Sequence, residues 1–272
     1  EANSQRPSIY LRTNTLKITR DELIEKLEKQ NIKASKVSVV DEAIKVENLK
    51  DIENNSIYKE GLFTVQDISS MLVGKVMNPE ENSLVLDVCS APGGKTTHMA
   101  TLMNNTGQVV SRDIYEHKLK LIKASCKRLN LTNVNVEEYD AMKIDKDSIG
   151  KFDYVLADVP CSGLGIIRRK PEIKYKEKEE FRDLPQIQKK ILENASKYVK
   201  KGGTLIYSTC TIQDSENIDV INEFLQKNKN FELAPINEVK VDLDNQEKGY
   251  MKIYPNIHEM DGFFISKLIR VR

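Results

Sequence analysis

The stretch Leu84-Val-Leu-Asp-Val-Cys-Ser-Ala-Pro-Gly-Gly-Lys-Thr96 decides how the rest of the chain reads. An apolar run rich in Leu and Val reaches a carboxylate at Asp87, breaks at Pro92, Gly93 and Gly94, and gives way at Lys95 to a helix-compatible segment. That is strand, tight loop, helix. In an open parallel sheet such a loop lies at the carboxyl edge of the strands, where ligands bind, and paired glycines let the backbone approach a ligand with no Cβ in the way.

Three cradles compete for this loop. A phosphate-binding P-loop ends in Gly-Lys-Thr, as here at Gly94-Lys95-Thr96, but it needs a glycine where Cys89 stands. A dinucleotide fingerprint requires Gly-x-Gly-x-x-Gly, which is absent, although an acid that would hold a ribose about 20 positions on is present as Asp113. S-adenosylmethionine, with a ribose and an adenine but no pyrophosphate, fits a loop followed by an acid after the next strand.

Outward from this stretch the pattern alternates. Strands are predicted at Leu84–Val88, Gln108–Arg112, Val134–Glu138, Phe152–Ala157 and Gly203–Ser208, with helices starting near Lys95, Glu116, Pro185 and Asp214. Such alternation implies a parallel sheet covered on both faces. Phe231–Leu233 and Gly262–Ile269 are expected as last strands, and Gly163 to Arg182 as a long functional loop with a short helix.

The first part of the chain reads differently. A strand over Ser8 to Thr13, a helix opened by the capping box Thr19-Arg-Asp-Glu22, and strands over Lys36 to Val40 and Ala43 to Val46 make a small α+β unit. The chain changes character near Gly61, so residues 1–61 and 62–272 are expected as two domains, with an apolar helix over Ile68 to Met77 leading into the central strand.

Composition narrows the function classes. Among 272 residues, 42 basic against 41 acidic side chains leave no net field for a polyanion, so any nucleic-acid surface must be local. No apolar run approaches a membrane span, and Glu1-Ala-Asn-Ser-Gln-Arg-Pro7 is no signal peptide, which reads as a cytoplasmic protein with no membrane partner. Nothing suggests an obligate dimer, and a monomer is expected. The absence of an initial Met suggests a cut fragment. Cys89, Cys126, Cys161 and Cys210 include no Cys-x-x-Cys pair, and His98, His117 and His258 have no ligand spacing, so no metal is expected. The histidines read as surface or helix-face residues, and Cys126 as packing.

Parallel strands bring the residues just past their carboxyl ends to one edge. Cys89 to Lys95, Asp113, Asp140, the run Asp158-Val-Pro-Cys161, and Cys210 should therefore meet. Isolated acids in a core sheet need partners, because burying them unpaired is unfavourable.

Taken together, Asp87-Val-Cys-Ser-Ala-Pro-Gly-Gly-Lys-Thr96, Asp158-Val-Pro-Cys-Ser162, and Tyr207-Ser-Thr-Cys-Thr211 with Glu216-Asn217 resemble the signature motifs of the Sun (Fmu, Nop/Sun) family of RNA 5-methylcytosine methyltransferases. Val65-Gln-Asp67 and Arg168-Arg-Lys-Pro-Glu-Ile-Lys174 resemble the bacterial members that act on 16S ribosomal RNA; a tRNA substrate is the nearest alternative. The resemblance implies an α/β fold, a class I methyltransferase sheet with an antiparallel last hairpin, preceded by a small RNA-recognition-like domain. It also implies a helical RNA-binding domain before Glu1.

Cytosine C5 is a poor nucleophile until another nucleophile adds at C6, and cysteine is the side chain with a useful thiolate fraction near neutral pH. We assign that addition to Cys210, as the resemblance also implies. Asp158 would hydrogen-bond the base at N3 and its amine, and the resemblance implies that Cys161 assists product release. Backbone from Cys89, Ser90, Ala91, Pro92, Gly93, Gly94 and Lys95 would cradle S-adenosylmethionine, with Asp113 on the ribose and Asp140 on the adenine; Asp158 also borders that site. Asp87 would support the loop. Lys95 is left open between the cofactor carboxylate and a catalytic acid. Arg168, Arg169 and Lys174 are candidate phosphate contacts, whereas Tyr10 and Arg12 read either as RNA contacts or as strand-pairing residues. The competing class is a P-loop nucleotide hydrolase.

Overall fold

The computed structural model describes residues 7–241 and 243–272. Glu1 to Arg6, most of the segment read above as no signal peptide, lie outside them. In the small unit, β1 (Ile9–Thr13), α1 (Arg20–Glu28), β2 (Lys33–Lys36), β3 (Ala43–Glu47), α2 (Ser56–Lys59) and β4 (Phe63–Val65) follow in order. The strands form an antiparallel sheet ordered β2-β3-β1-β4. The capping box is present: Thr19 Oγ1 accepts from the Glu22 N–H and Glu22 Oε2 accepts from the Thr19 N–H, so two donors of the first turn are satisfied reciprocally.

Alternation along β1 sets the relation between the two units. Leu11 joins Leu23, Leu27, Ile44 and Phe63 in the small core. Tyr10 packs instead into a core of the large unit, and Arg12, only 2% exposed, donates to Gln66 Oε1, to Gly94 O at 2.7 Å and to Thr97 Oγ1 at 2.9 Å. The RNA-contact alternative for Tyr10 and Arg12 is therefore corrected: the sheet face that carries them is covered. Of the two readings for His98, the surface one is corrected: the residue lies on a buried helix face. It is buried, with Nε2 2.7 Å from Glu42 Oε1 of the small unit.

Two boundaries differ from the sequence reading. The strand expected over Lys36 to Val40 already ends at Lys36, because Val40 leaves the sheet to pack in the large core and the Ala43 N–H closes a turn onto Val40 O. The small sheet also takes β4 from beyond Gly61. Gly61 itself has φ of 73°, and a Cβ there would sit 1.9 Å from Arg128 O, so only glycine fits this crossing.

In the large unit, α3 (Ile68–Met77) is capped by Asp67 and delivers the chain to β5 (Leu84–Asp87). Then come α4 (Gly94–Leu102), β6 (Gln108–Asp113), α5 (Glu116–Leu129), β7 (Val134–Glu138), β8 (Phe152–Asp158), α6 (Leu184–Tyr198), β9 (Val199–Thr209), α7 (Ile218–Lys227), β10 (Phe231–Leu233), β11 (Tyr250–Ile253), α8 (Pro255–His258) and β12 (Phe263–Arg270). The sheet runs β10-β12-β9-β8-β5-β6-β7, with β11 also paired to β12. Strands β5 to β9 are parallel to their neighbours among themselves, and β12 is antiparallel to β9, β10 and β11. The mostly parallel sheet with an antiparallel end agrees with the expected class I methyltransferase fold.

Alternate residues of each central strand enter different cores. Val85, Leu156 and Ile206 pack with Met71, Met99 and Ile122, whereas Leu86, Val155 and Leu205 pack with Ile191, Leu192 and Val220. The sheet is thus covered on both faces, as its near-continuous apolar strands require. The chain turns outward in opposite directions on either side of the β5–β8 pair, which makes the carboxyl ends of those strands the topological switch point. Three local expectations shift: β11 is an extra strand, Asp214 opens a single 3-10 turn before α7, and Gly163 to Arg182 holds two 3-10 turns, Pro171–Tyr175 and Lys178–Phe181. No helix among the described residues is long and apolar enough to cross a membrane.

Candidate active site

The loop after β5 is held by its neighbours before any ligand arrives. Ser90 donates through both N–H and Oγ to Arg112 O at 2.9 Å, the Ala91 N–H donates to Asp113 Oδ2 at 3.1 Å, and the Gly93 N–H donates to Ser90 O at 2.7 Å. Gly93 has φ of 102° and packs on Ile122, which a Cβ would approach to 3.2 Å. Beneath the loop, Asp87 Oδ2 accepts from Thr96 Oγ1 at 2.7 Å while Oδ1 has no partner. Burial pushes the Asp87 carboxyl up to about 7, against the pull of that hydrogen bond. Asp87 is thus tied to the first turn of α4 through Thr96.

A cleft of about 390 Å³ opens beside this loop, between Cys89, Asp113, Tyr115, Asp140, Pro160 and Ile187. Asp113 is steadied by the Ala91 and Tyr115 N–H groups, and Asp140 Oδ1 accepts from the Met142 N–H at 2.9 Å. Two oriented carboxylates between apolar walls suit a ribose diol and a flat heteroaromatic base. Cys89, Asp113 and Asp140 are thus brought together, but Pro92, Gly93 and Gly94 line a different hollow with Val65 and Arg128, against the small unit. Burial raises the Cys89 thiol well above its usual range, which suits a packing side chain.

At the adjoining strand ends, Lys95 Nζ lies 2.6 Å from Asp158 Oδ2, and Ser208 Oγ donates to Asp158 Oδ1 at 2.7 Å. The sequence left Lys95 open; its partner is the acid. Cys161 Sγ and Cys210 Sγ are 3.3 Å apart. The hydrogen bond from Cys161 lowers the Cys210 thiol below its ordinary value, outweighing burial and helped by Lys95 and Lys170. Cys161 is raised, by the same bond and by burial. The two shifts run in opposite directions, so Cys210 is the more readily ionised of the pair.

Arg168, its side chain 7% exposed, is corrected from a phosphate contact, and Arg169, 29% exposed, is ion-paired within the chain. Arg168 Nε donates to Asp261 Oδ1 at 2.9 Å, and Arg169 pairs with Asp261 and, at 2.6 Å, with Asp67. Their guanidinium groups tie the loop to α3 and to the approach to β12. Lys174 is exposed and remains available for such a contact. Sequence reasoning missed the roles of Asp261, Gln188 and Glu216; only Glu216 stood within a quoted motif. Among the described residues, no group of three or more His, Cys, Asp and Glu side chains is placed to hold a metal ion.

Comparison with known proteins gives the same assignment. The family model described as 16S rRNA methyltransferase RsmB/F matches residues 74–269, well over half of the chain. The chain belongs to the RsmB/F methyltransferase family. The associated RsmF/B-like ferredoxin-like domain matches residues 1–53, in keeping with the small α+β unit. The "Probable ribosomal RNA small subunit methyltransferase B" of Bacillus subtilis (strain 168) is 40% identical over 270 residues, covering 96% of this chain and 60% of that protein. The "28S rRNA (cytosine(4447)-C(5))-methyltransferase" of Homo sapiens is 35% identical, covering 98% of this chain and 35% of its own length. The crystal structure of a methyltransferase homolog protein from Pyrococcus horikoshii superposes with a TM-score of 0.84 at 29% identity, covering 99% of this chain and 88% of that one. The chain spans about three fifths of the length of the bacterial relatives it matches first.

Family membership and geometry together dispose of the nucleotide-hydrolase alternative. In this loop the amides of Ala91 and Gly93 are already paired internally, and Lys95 is ion-paired with Asp158. A phosphate nest needs those groups free.

Proposed function

We propose that this chain transfers the methyl group of S-adenosylmethionine to C5 of a cytosine in RNA, the substrate being small-subunit ribosomal RNA. The observation that carries the reading is the approach of Cys161 and Cys210 to 3.3 Å near the Lys95–Asp158 pair, with Pro160, the residue before Cys161, lining the cleft that holds Asp113 and Asp140. The C5 and ribosomal names of the relatives support the position and the target. On this reading the protein acts as a cytoplasmic monomer, and its two units divide after Val65 rather than at Gly61.

The cleft fits the cofactor by its donor set: Asp113 would accept from the ribose hydroxyls and Asp140 from the adenine amine, with Tyr115 and Ile187 as apolar walls. The bound cofactor supplies an electrophilic methyl group. The chain's own residues do the rest. Cys210, as thiolate, adds to C6 of the cytosine and makes C5 nucleophilic. Asp158, held by Lys95 and Ser208, accepts from the exocyclic amine and, in its protonated form, donates its proton to N3, which neutralises the negative charge that develops there as the thiolate adds. Once C5 carries the methyl group, its proton passes to water, the C5–H electron pair restores the C5=C6 bond, the C6–S pair leaves as the Cys210 thiolate, and Cys161 assists that release.

The test is incubation of wild type, Cys210→Ala and Cys161→Ala with radiolabelled S-adenosylmethionine and either small-subunit ribosomal RNA or tRNA, read on denaturing gels. Label on ribosomal RNA with wild type, none with Cys210→Ala, and a protein–RNA adduct with Cys161→Ala is the expected pattern. Label on tRNA alone would replace the substrate. Full activity of Cys210→Ala would refute the mechanism.

A further inference from the structure

Glu216 is a carboxylate with only 1% exposure, and its hydrogen-bond partners are neutral. Oε2 accepts from the Ser162 N–H at 2.9 Å and from Gln188 Nε2 at 2.8 Å, while Thr211 Oγ1 lies 3.4 Å from Oε1. Those partners flank the two sulfurs. Ser162 follows Cys161, Thr211 follows Cys210, and their hydroxyls bond to each other at 2.8 Å. Gln188 reaches from α6 to Pro160 O at 3.0 Å, so Cys161 is gripped on both sides, by Gln188 at Pro160 and by Glu216 at Ser162. A buried carboxylate without a counter-charge is unfavourable, and packing alone would be served by an apolar side chain. Its retention at the junction of both cysteine loops asks for another reason.

We propose that Glu216 is the positioning residue that sets Cys161 against Cys210, by binding the backbone after the first and the side chain after the second. It touches neither sulfur and acts through the loops. The inference deepens the cytosine-methyltransferase reading, on which its functional consequence rests, but the geometry it claims can be measured without RNA or cofactor.

Diamide oxidises two adjacent thiols to a disulfide: one S–S bond forms, and the two electrons and two protons reduce its N=N bond to the hydrazine. The rate of Cys161–Cys210 closure, followed by mass spectrometry of the intact protein, therefore reports how the sulfurs are placed. Glu216→Ala should slow closure by roughly tenfold or more, as loss of alignment of about 1 Å does for reacting groups. Glu216→Gln, whose amide oxygen still accepts from Ser162 and Gln188, should close at the wild-type rate. If Glu216→Ala does not fold, Glu216→Asp serves, since it keeps the charge but withdraws the carboxylate by one methylene, and it should also close slowly. Wild-type closure in the folded Ala or Asp variant, or slow closure in Glu216→Gln, would overturn the proposal. With RNA and cofactor, Glu216→Ala should retain the covalent adduct longer than wild type, and equally fast release would count against it. A wild-type protein that closes its disulfide but methylates no RNA would sink the functional reading and leave the positioning role standing.

Discussion

Lys95 Nζ stands 2.6 Å from Asp158 Oδ2, its side chain 13% exposed, and its charge bears on Cys210 as well. Burial alone would lower the ammonium, but Asp158 outweighs it and raises the Lys95 pKa, so the lysine stays charged. Lys95→Met keeps the length of the aliphatic stem and removes the charge, including the ammonium that lies 5.1 Å from the Phe263 ring centre. The expected result is a loss of about 100-fold in kcat, the usual cost of deleting one electrostatic partner at a reacting centre. Cofactor affinity, measured by calorimetry, should change little.

The four thiols should differ in alkylation order. Cys210 is lowered chiefly by the hydrogen bond from Cys161, whereas burial raises Cys89 and lifts Cys126 to about 11. Iodoacetamide near neutral pH should modify Cys210 first, read by peptide mass spectrometry. Cys161→Ala removes the donor, so the pH at which Cys210 is half-reactive should move up. An unchanged profile would show that Cys161 does not tune its neighbour.

The His98–Glu42 pair joins the two units and should make stability depend on acid. Burial depresses His98 from 6.5 to about 4; Glu42, despite burial, is drawn from 4.5 to about 2 by His98 and Lys75. In each case the folded value lies below the unfolded one, so between them the unfolded chain binds more protons. Stability is complete above about 6.5 and is lost as pH falls, first through the His98 window and then through that of Glu42. The thermal midpoint should drop between about pH 6.5 and 4, and His98→Gln should flatten that part of the curve.

Arg168 and Lys174 should part company. Arg168→Ala leaves buried Asp261 short of one partner and is expected to lower stability by about 3 kcal/mol in denaturant unfolding. Lys174→Ala should leave stability unchanged and weaken RNA binding. It should also reduce the slope of log K against log salt by about 0.7, one phosphate contact to a single strand. The reverse pattern would restore Arg168 as the RNA contact.

Much of the site was legible because the relevant physics is local or periodic. Strand and helix alternation predicts a parallel sheet, and a parallel sheet puts its carboxyl ends on one edge. Cys161, Cys210 and Asp158 could therefore be gathered without coordinates. The misreadings share one cause. A charge is visible in sequence, but its partner is not: Asp261 lies 93 residues from Arg168, and Glu42 lies 56 from His98. Tyr10 and Arg12 failed likewise, because period-2 alternation tells that a strand has two faces and not that both are covered.

By itself, then, the sequence determined the alternation of strands and helices in the central sheet, the presence of a small α+β unit before it, and which side chains meet at the carboxyl edge. Those follow from hydrophobic period, turn residues and motif spacing along the chain. Only the tertiary structure decided that Lys95 belongs to Asp158, that the small sheet is closed against the large unit, and that Glu216 binds both cysteine loops. Such pairings depend on distance through space, and a buried polar group takes whichever partner the packed fold brings within hydrogen-bond reach.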